Sequence, residues 1–376
     1  MIKRDLMGDR QMRAVSRAAA DFRRGWPVRL LAAQRRWLVA PVETLDPGLI
    51  EPLSDRFDTA PKLLISAESG RFLDVEVGRA RYLGLAGKGV SVLAESLRGM
   101  VQGSAADLDV IFDPEEAAAV ELAKLAELLP AAWSFELRGG DFGEDLDLSQ
   151  VSGAWIESYR SRTDRSIRLE ASASVPLDDA NACRIAAFRA LENGDTHYAL
   201  IIGEPRPGDP VLCRVHSECF TGDMLGSLRC DCGGQLKWAI RRMGEEGAGI
   251  LLYLAHEGRG IGLLNKIRAY AFQDQGDDTI DANRKLGYAE DERRYVDAAR
   301  MLDHLGFNRV RLLTNNPDKV RALEAQAIEV VERIPHALAA NAYNRRYLST
   351  KATRGGHDFA TIVESLEDVV DEPQDH

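Results

Sequence analysis

What this sequence lacks narrows it before any motif is read. No apolar run approaches the roughly 20 residues that a membrane-spanning helix needs, and no secretory leader pattern is present. An Arg-rich start, with an amphipathic helix expected over Met12 to Phe22, would suit a transit peptide. Asp5, Asp9 and Asp21 argue against one. Basic residues are in deficit: 48 Lys and Arg stand against 59 Asp and Glu, a net charge of −11. Such a chain is a poor general binder of nucleic acid or anionic membrane, and it has no basic, aromatic-rich stripe. A local basic pocket for a small polyanion stays open. Cysteine is scarce and odd in number, five in all, at positions 183, 213, 219, 230 and 232. Without a leader, that reads as reduced thiols in a cytoplasmic protein.

No internal repeat is visible. What is present is an ordinary globular composition over a length that suggests two domains. Up to about residue 165, short apolar runs such as Val28–Leu31, Lys62–Ile65 and Val90–Leu93 alternate with turn signals. A helix is expected from Pro114 to about Leu129, capped by Asp113. A glycine-rich acidic loop follows over 138–145, then a helix near Ser152 to Arg162. Beyond 165, strands are expected at Tyr198–Gly203, Val211–Val215, Ile250–Leu254 and Val310–Thr314. Helices are expected at Gln235–Glu246, Gly262–Gln273, Glu290–Leu305 and after Asn316-Pro317. The expected class is α/β: a C-terminal three-layer α/β/α domain with a mixed sheet (166–376), preceded by a smaller α+β domain (1–165). The acidic segment 364–376 is expected to fray.

Three cysteines fall within fourteen positions: Cys219, Cys230 and Cys232. Thiolates suit zinc. Three protein ligands leave a tetrahedral corner for water, whose pKa zinc lowers toward ~7. The alternative is three buried apolar thiols. His216, Glu218, Asp223, Arg229 and Asp231 crowd the same stretch, more charge than an apolar core tolerates. Cys213 shares strand parity with Val211 and Val215, which suits a core thiol. As a fourth ligand it would make the site structural. Cys183 sits among Ala182, Ile185 and Ala186 and also reads as core.

A strand ending near Leu254 leads into Glu257-Gly258-Arg259-Gly260-Ile261-Gly262 and then a helix. Glycine amides and a helix N-terminus make an anion site, with Arg259, Lys266 and Arg268 adding positive charge. The pattern is neither a dinucleotide fingerprint nor a P-loop, and a tight turn explains it equally well. Thr314 to Lys319 is a second strand-to-helix start of the same kind.

Five blocks, in this order, carry a resemblance. They are Arg214 to Cys219 (RVHSEC), Gly226 to Gly233 (GSLRCDCG), Glu257 to Gly262 (EGRGIG), Arg268 to Gly276 (RAYAFQDQG) and Leu313 to Pro317 (LTNNP). Together they closely resemble GTP cyclohydrolase II, over residues 169–357. The resemblance implies that Cys219, Cys230 and Cys232 hold one zinc ion. It implies attack at carbon 8 of guanine, ring opening and release of formate. Arg214, Val215, His216, Ser217, Glu218 and Gln235 would line the nucleotide pocket. Glu257, Gly258 and Arg259 would lie against the nucleotide, and Thr279, Thr314 and Lys319 would complete its binding. Tyr270 would stand near the reacting base. Asp291 and Arg293 match a pair in which the arginine attacks the α-phosphorus, which implies magnesium on the triphosphate and loss of pyrophosphate. A guanidinium is ordinarily protonated, so read from the residues alone, 291–294 is a solvated helix face. The family resembles a homodimer.

The sequence departs from the family pattern at Asp178 to Cys183, where a first-strand motif is replaced, and at Ala255-His256, where many members carry Arg-Gln. His256 there either alters pocket polarity or faces solvent. In the first domain, Ala20 to Leu31 faintly resembles the opening of 3,4-dihydroxy-2-butanone 4-phosphate synthase. That enzyme's acidic metal-binding run is replaced by Ala32 to Trp37, which implies a catalytically inactive relative. Two other readings compete with a cyclohydrolase: a paralogue acting on another nucleotide, and a zinc-stabilised nucleotide sensor with a closed four-cysteine site.

Overall fold

In the computed structural model the chain is described over residues 10–336 and at Asn344, apart from 33, 79–80, 100–107, 112, 139–142, 144, 164–166 and 191–193. The segment 364–376 and most of the loop expected at 138–145 lie outside the described residues. The chain divides into two compact units. The first takes in Met1–Thr163, Leu264–Asp277 and Asp281–Glu292. The second takes in Asp164–Leu263, Asp278–Ile280 and Arg293–His376.

The first unit is built on strands β1 (Val28–Leu31), β2 (Arg36–Pro41), β3 (Lys62–Ser66), β4 (Tyr82–Ala86), β5 (Asp109–Ile111), β6 (Ala131–Glu136) and β7 (Gln150–Ser152), in the order β5-β4-β3-β6-β2-β1-β7. Only the β1–β7 pair is parallel. Helices Arg10–Arg23, Pro114–Leu125 and Gly153–Thr163 cover one face, burying Val15, Phe22, Ala119 and Ile156 against Val28, Leu30 and Trp37. Asp113 caps its helix by accepting from the Glu115 N–H, with Pro114 in the first turn. The apolar run at Val90 opens the helix Val90–Gly99, whose Leu93, Ala94 and Leu97 pack on the opposite face against Leu63, Ile65 and Trp133.

Residues 264–277 and 281–292 join this first unit through specific bonds. Asn265 donates to the Glu127 carbonyl at 2.9 Å and Tyr288 to the Leu128 carbonyl at 2.6 Å. Arg268 pairs with Glu43 at 2.9 Å, and Lys124 with Glu292 at 2.8 Å. These contacts correct one expected element. The helix begins at Val296, not Glu290. Glu292 is held by Lys124 and accepts the Ala289 N–H at 3.2 Å, so its stretch is anchored outside any helical hydrogen-bond run.

The second unit holds β8 (Ile167–Ser174), β9 (Cys183–Ala190), β10 (Thr196–Gly203), β11 (Val211–Ser217), β12 (Ala248–Leu254), β13 (Arg309–Leu313) and β14 (Glu329–Ile334), in the order β14-β13-β11-β12-β10-β9-β8. The β14-β13-β11-β12 stretch is parallel and the rest antiparallel. The helix Cys232–Glu246 packs Ala239 and Met243 on one face, against Ile202, Leu212 and Leu251. The helices Val296–Leu305 and Pro317–Glu324 cover the other, burying Ala298, Met301, Leu302 and Leu323 against Val215, Ile250 and Leu252. The α/β class read from the sequence therefore holds, and this unit has three layers. Gly203 sits at a point of close approach: a Cβ there would lie 1.8 Å from the Gly247 carbonyl oxygen, at a φ of +64°.

Candidate functional site

The parallel strands β11 and β12 end side by side, with His216 opposite Tyr253 and Ser217 opposite Leu254. Side chains and loops leaving this edge form the site, as expected for the carboxyl ends of strands in an α/β sheet. Cys219 follows β11 and opens a wide helical turn, Phe220–Met224. Cys230 lies beyond that turn, and Cys232 is the first residue of the helix Cys232–Glu246. The positive end of that helix favours a thiolate there.

Among the described residues, Cys219, Cys230 and Cys232 form a group whose sulfur atoms all lie within 4.8 Å of one another. The Cys219 and Cys230 sulfurs are 3.8 Å apart. Two sulfurs at 2.3 Å from a tetrahedral ion would stand about 3.8 Å apart, so the thiols fit zinc. The facing Cys219 thiol pushes the Cys230 thiol up to about 11, a proton that a bound cation displaces. Cys213 is not in this group. It is fully buried in the sheet core, and burial pushes its thiol up to about 12. Cys183 is buried likewise.

Gly222 closes the floor of the cluster. Its N–H points to the Cys219 sulfur at 3.4 Å. A Cβ at this position would lie 2.7 Å from the Cys230 sulfur, 3.0 Å from the Cys232 Cβ and 3.1 Å from the Cys219 sulfur. Gly233 makes the complementary approach, since a Cβ on it would meet the Gly222 carbonyl oxygen at 2.1 Å.

Two carboxylates hold the turn. Asp223 accepts the Cys219 N–H at 3.0 Å and the Tyr253 hydroxyl at 2.9 Å, and lies 3.2 Å from His216 Nε2. Glu257 accepts the Phe220 N–H at 2.6 Å and its own neighbour's, Gly258, at 2.8 Å. His216 is buried and stacks on Tyr253, with ring centroids 5.6 Å apart. Burial pulls its pKa down, against the opposing pull of Asp223. The ring is therefore neutral at pH 7, with the Nε2 proton assigned toward Asp223, while Nδ1 is buried without a hydrogen-bond partner among the described residues. Asp223 as the junction and Tyr253 were not among the site residues read from the sequence.

The remaining expected residues fall as follows. Arg214 is buried and donates to the Leu313 carbonyl at 2.9 Å and to Gln235 Oε1 at 2.5 Å. Gln235 in turn donates to Asp231 at 2.6 Å, between the two later cysteines. Burial lowers the Arg214 pKa to about 10, which leaves it charged at neutral pH. Lys319 donates to the Val215 carbonyl at 2.8 Å and lies 5.5 Å from the Tyr295 ring. The Thr314 hydroxyl accepts the Asn316 N–H at 3.0 Å. The Glu218 N–H donates to the Leu254 carbonyl at 2.8 Å. Arg293 donates to the Ser217 hydroxyl at 3.4 Å. Gly258 and Arg259 both take left-handed backbone angles, φ 62° and 64°. Thr279 opens the short helix Thr279–Lys285. Tyr270, half-buried on the helix Leu263–Asp274, and Asp291 belong to the first unit.

His256 packs edge-on against His197 and Tyr295. His197 accepts the Ala255 N–H at 3.1 Å and stands 3.9 Å from Asp297. Burial raises the Asp297 pKa from 3.8 to about 6, with Arg294 opposing. A carboxyl raised in the folded state contributes stability below pH ~4 that is lost as pH rises through about 6. Asp297→Asn is therefore expected to stabilise the protein. The gain over the native chain is on the order of 3 kcal/mol at pH 8 and about half that at pH 5. Urea unfolding at the two pH values measures it; a gain that does not shrink at pH 5 removes the titration argument.

Three cysteines at the carboxyl edge of a mixed sheet, spaced so that they could hold a metal ion and backed by buried cations and a glycine-rich turn, define a candidate metal site in a protein of the α/β class. The profile of the GTP cyclohydrolase II family matches residues 168–335. A GTP cyclohydrolase-2 of Azospirillum brasilense is 44% identical over 380 residues, covering 94% of this chain and 96% of that protein. A GTP cyclohydrolase-2 of Pseudomonas paraeruginosa is 57% identical over 175 residues, 46% of this chain and 85% of its own. The riboflavin biosynthesis protein RibBA of Synechocystis is 42% identical over 253 residues, 64% of this chain and 45% of that protein. The chain belongs to the GTP cyclohydrolase II family and is a hydrolase.

Proposed function

We propose that this protein hydrolyses GTP to 2,5-diamino-6-(5-phosphoribosylamino)pyrimidin-4(3H)-one, formate and diphosphate, at the start of riboflavin biosynthesis. The observation that carries the reading is the convergence of three thiols, at zinc-like spacing, beside the buried Arg214, His216 and Lys319. Zinc held by Cys219, Cys230 and Cys232 would supply a Lewis acid that makes water nucleophilic at neutral pH. Three ligands in place of four suit an enzyme better than a closed sensor site, and Cys213 in the core supports the same choice.

The chain's own residues supply recognition. His216, with its Nε2 proton toward Asp223, keeps Nδ1 as an acceptor for a ligand N–H. Arg214 and Lys319 give buried positive charge for a nucleotide whose triphosphate is strongly anionic. Gly258 and Arg259 form a left-handed turn, and Arg259 would add its positive charge for phosphate oxygens. Thr279, Thr314, Glu218 and Ser217 complete the pocket in this reading. Tyr270 acts near the base, and Asp291 and Arg293 act at the α-phosphorus with magnesium on the triphosphate. The working form is a cytoplasmic homodimer, and the first unit has no synthase activity of its own.

The test is zinc-loaded protein with GTP and magnesium, following formate and pyrophosphate together, with Cys230→Ser alongside. Both products from the native chain, with formate lost in the variant, is the expected result. Pyrophosphate without formate would remove the ring-opening role of the thiolate centre. Neither product from folded, metal-replete protein would favour another nucleotide or a sensor. The same preparation given ribulose 5-phosphate is expected to leave it unconverted.

A further inference from the structure

Consecutive backbone N–H groups at the first cysteine are both taken by carboxylates. The Cys219 N–H goes to Asp223, which is bonded to β12 through Tyr253. The Phe220 N–H goes to Glu257, whose other oxygen accepts the Gly258 N–H. Glu257 thus spans two parts of the chain 37 residues apart in sequence. On one side is the turn that carries a metal ligand. On the other is the glycine-rich turn, in which Arg259 sits at a φ of 64°, a conformation that a residue with a Cβ takes only when its surroundings hold it. Both bonds are charge-assisted and short, so they weaken steeply if either turn shifts. The resemblance places Glu257 against the nucleotide. Its two bonds to backbone amides describe a different task.

We propose that Glu257 is a positioning residue that couples the glycine-rich turn to Cys219, so that a nucleotide bound at the turn and a metal bound by the thiolates each raise the other's affinity. This rests on the nucleotide reading of the site. Coupling of this kind is reciprocal: whatever factor nucleotide adds to metal affinity, metal must add to nucleotide affinity.

The experiment uses the full-length, zinc-loaded protein, a chromophoric chelator and GDP as the probe, with GDP binding measured by calorimetry on the same samples. In the native chain, saturating GDP is expected to slow zinc extraction about tenfold, within the usual range of coupling between sites. In Glu257→Gln, which retains one acceptor oxygen, zinc extraction without GDP stays within a few-fold of native, and GDP slows it less than twofold. An equal slowing in both proteins overturns the proposal. The reciprocal arm needs no variant: native protein stripped of zinc should bind GDP about tenfold more weakly than the loaded form, and equal affinities overturn the proposal. If Glu257→Gln does not fold by circular dichroism, that arm decides alone. Native, zinc-loaded protein that fails to bind GDP at all sinks the nucleotide reading and the coupling with it. Calorimetry thereby separates that failure from the failure of Glu257 alone.

Discussion

With zinc held by the three thiols as proposed, Gly222→Ala is expected to yield a folded protein that cannot retain the ion and has lost the proposed ring opening by at least a hundredfold. The added methyl would stand 2.7 Å from the Cys230 sulfur and 3.1 Å from the Cys219 sulfur, and 3.0 Å from the Cys232 Cβ, a contact common to the empty and the loaded states. In the metal-free protein those thiols can turn away, because each cysteine side chain has a single soft torsion and no cation to hold it. With zinc bound at about 2.3 Å from each sulfur, they cannot turn without breaking a ligand bond. The methyl therefore penalises the loaded state far more than the empty one. The signature is a split: urea unfolding of the stripped variant stays within about 1 kcal/mol of the stripped native chain, while chelator competition shows zinc affinity down by two orders of magnitude or more. Equal loss of stability in the stripped forms would mean that Gly222 matters for packing alone. Retention of zinc at native affinity would mean that the thiols do not hold metal in the observed arrangement.

The same corner shows what could be read in advance. The three cysteines stood out by spacing and by the charge around them, both local properties of the chain. Cys213 and Cys183 were separable from them by strand parity and apolar neighbours, also local. The role of Asp223 was not readable. Its partner Tyr253 is 30 residues away, and only the parallel register of β11 and β12 brings His216 and Tyr253 opposite one another. Nothing in a hydrophobic period reports such a register. Helix starts with side-chain caps, at Asp113 and Asn316, came out where expected because the capping bond spans two residues. The start of the helix expected at Glu290 did not, because Lys124, 168 positions earlier, takes Glu292. The run at Val90 shows the known ambiguity of short apolar stretches, which suit a strand or a buried helical turn equally. Least legible was the assignment of 264–277 and 281–292 to the first unit, since their anchors at Glu43, Glu127 and Leu128 lie over a hundred positions away.

Arg214→Met is expected to destabilise the second unit by about 3–5 kcal/mol, the range found when one member of a buried charge group is removed. Arg214 is 6% exposed and Asp231 is equally buried. Asp231 is also the charge that most supports the Arg214 cation against burial. Between them Gln235 accepts from one and donates to the other. Methionine matches the length but leaves the Leu313 carbonyl without this donor, Gln235 Oε1 short of a charged one, and the Asp231 carboxylate in a low-dielectric site without its cation. Because Asp231 lies between Cys230 and Cys232, that cost reaches the thiol cluster, and zinc held there as proposed should be released faster as stability falls. Lysine at 214 keeps the charge but cannot fork to two acceptors in the same plane, so Arg214→Lys should fall between native and methionine. The double variant Arg214→Met, Asp231→Asn identifies the cause. If the penalty is an uncompensated carboxylate, the second substitution restores roughly half of the lost stability in urea unfolding, a coupling of about 2 kcal/mol. If the two losses simply add, Arg214 acts through packing and its carbonyl bond, and the electrostatic link from β11 to the cysteine pair is removed from the account.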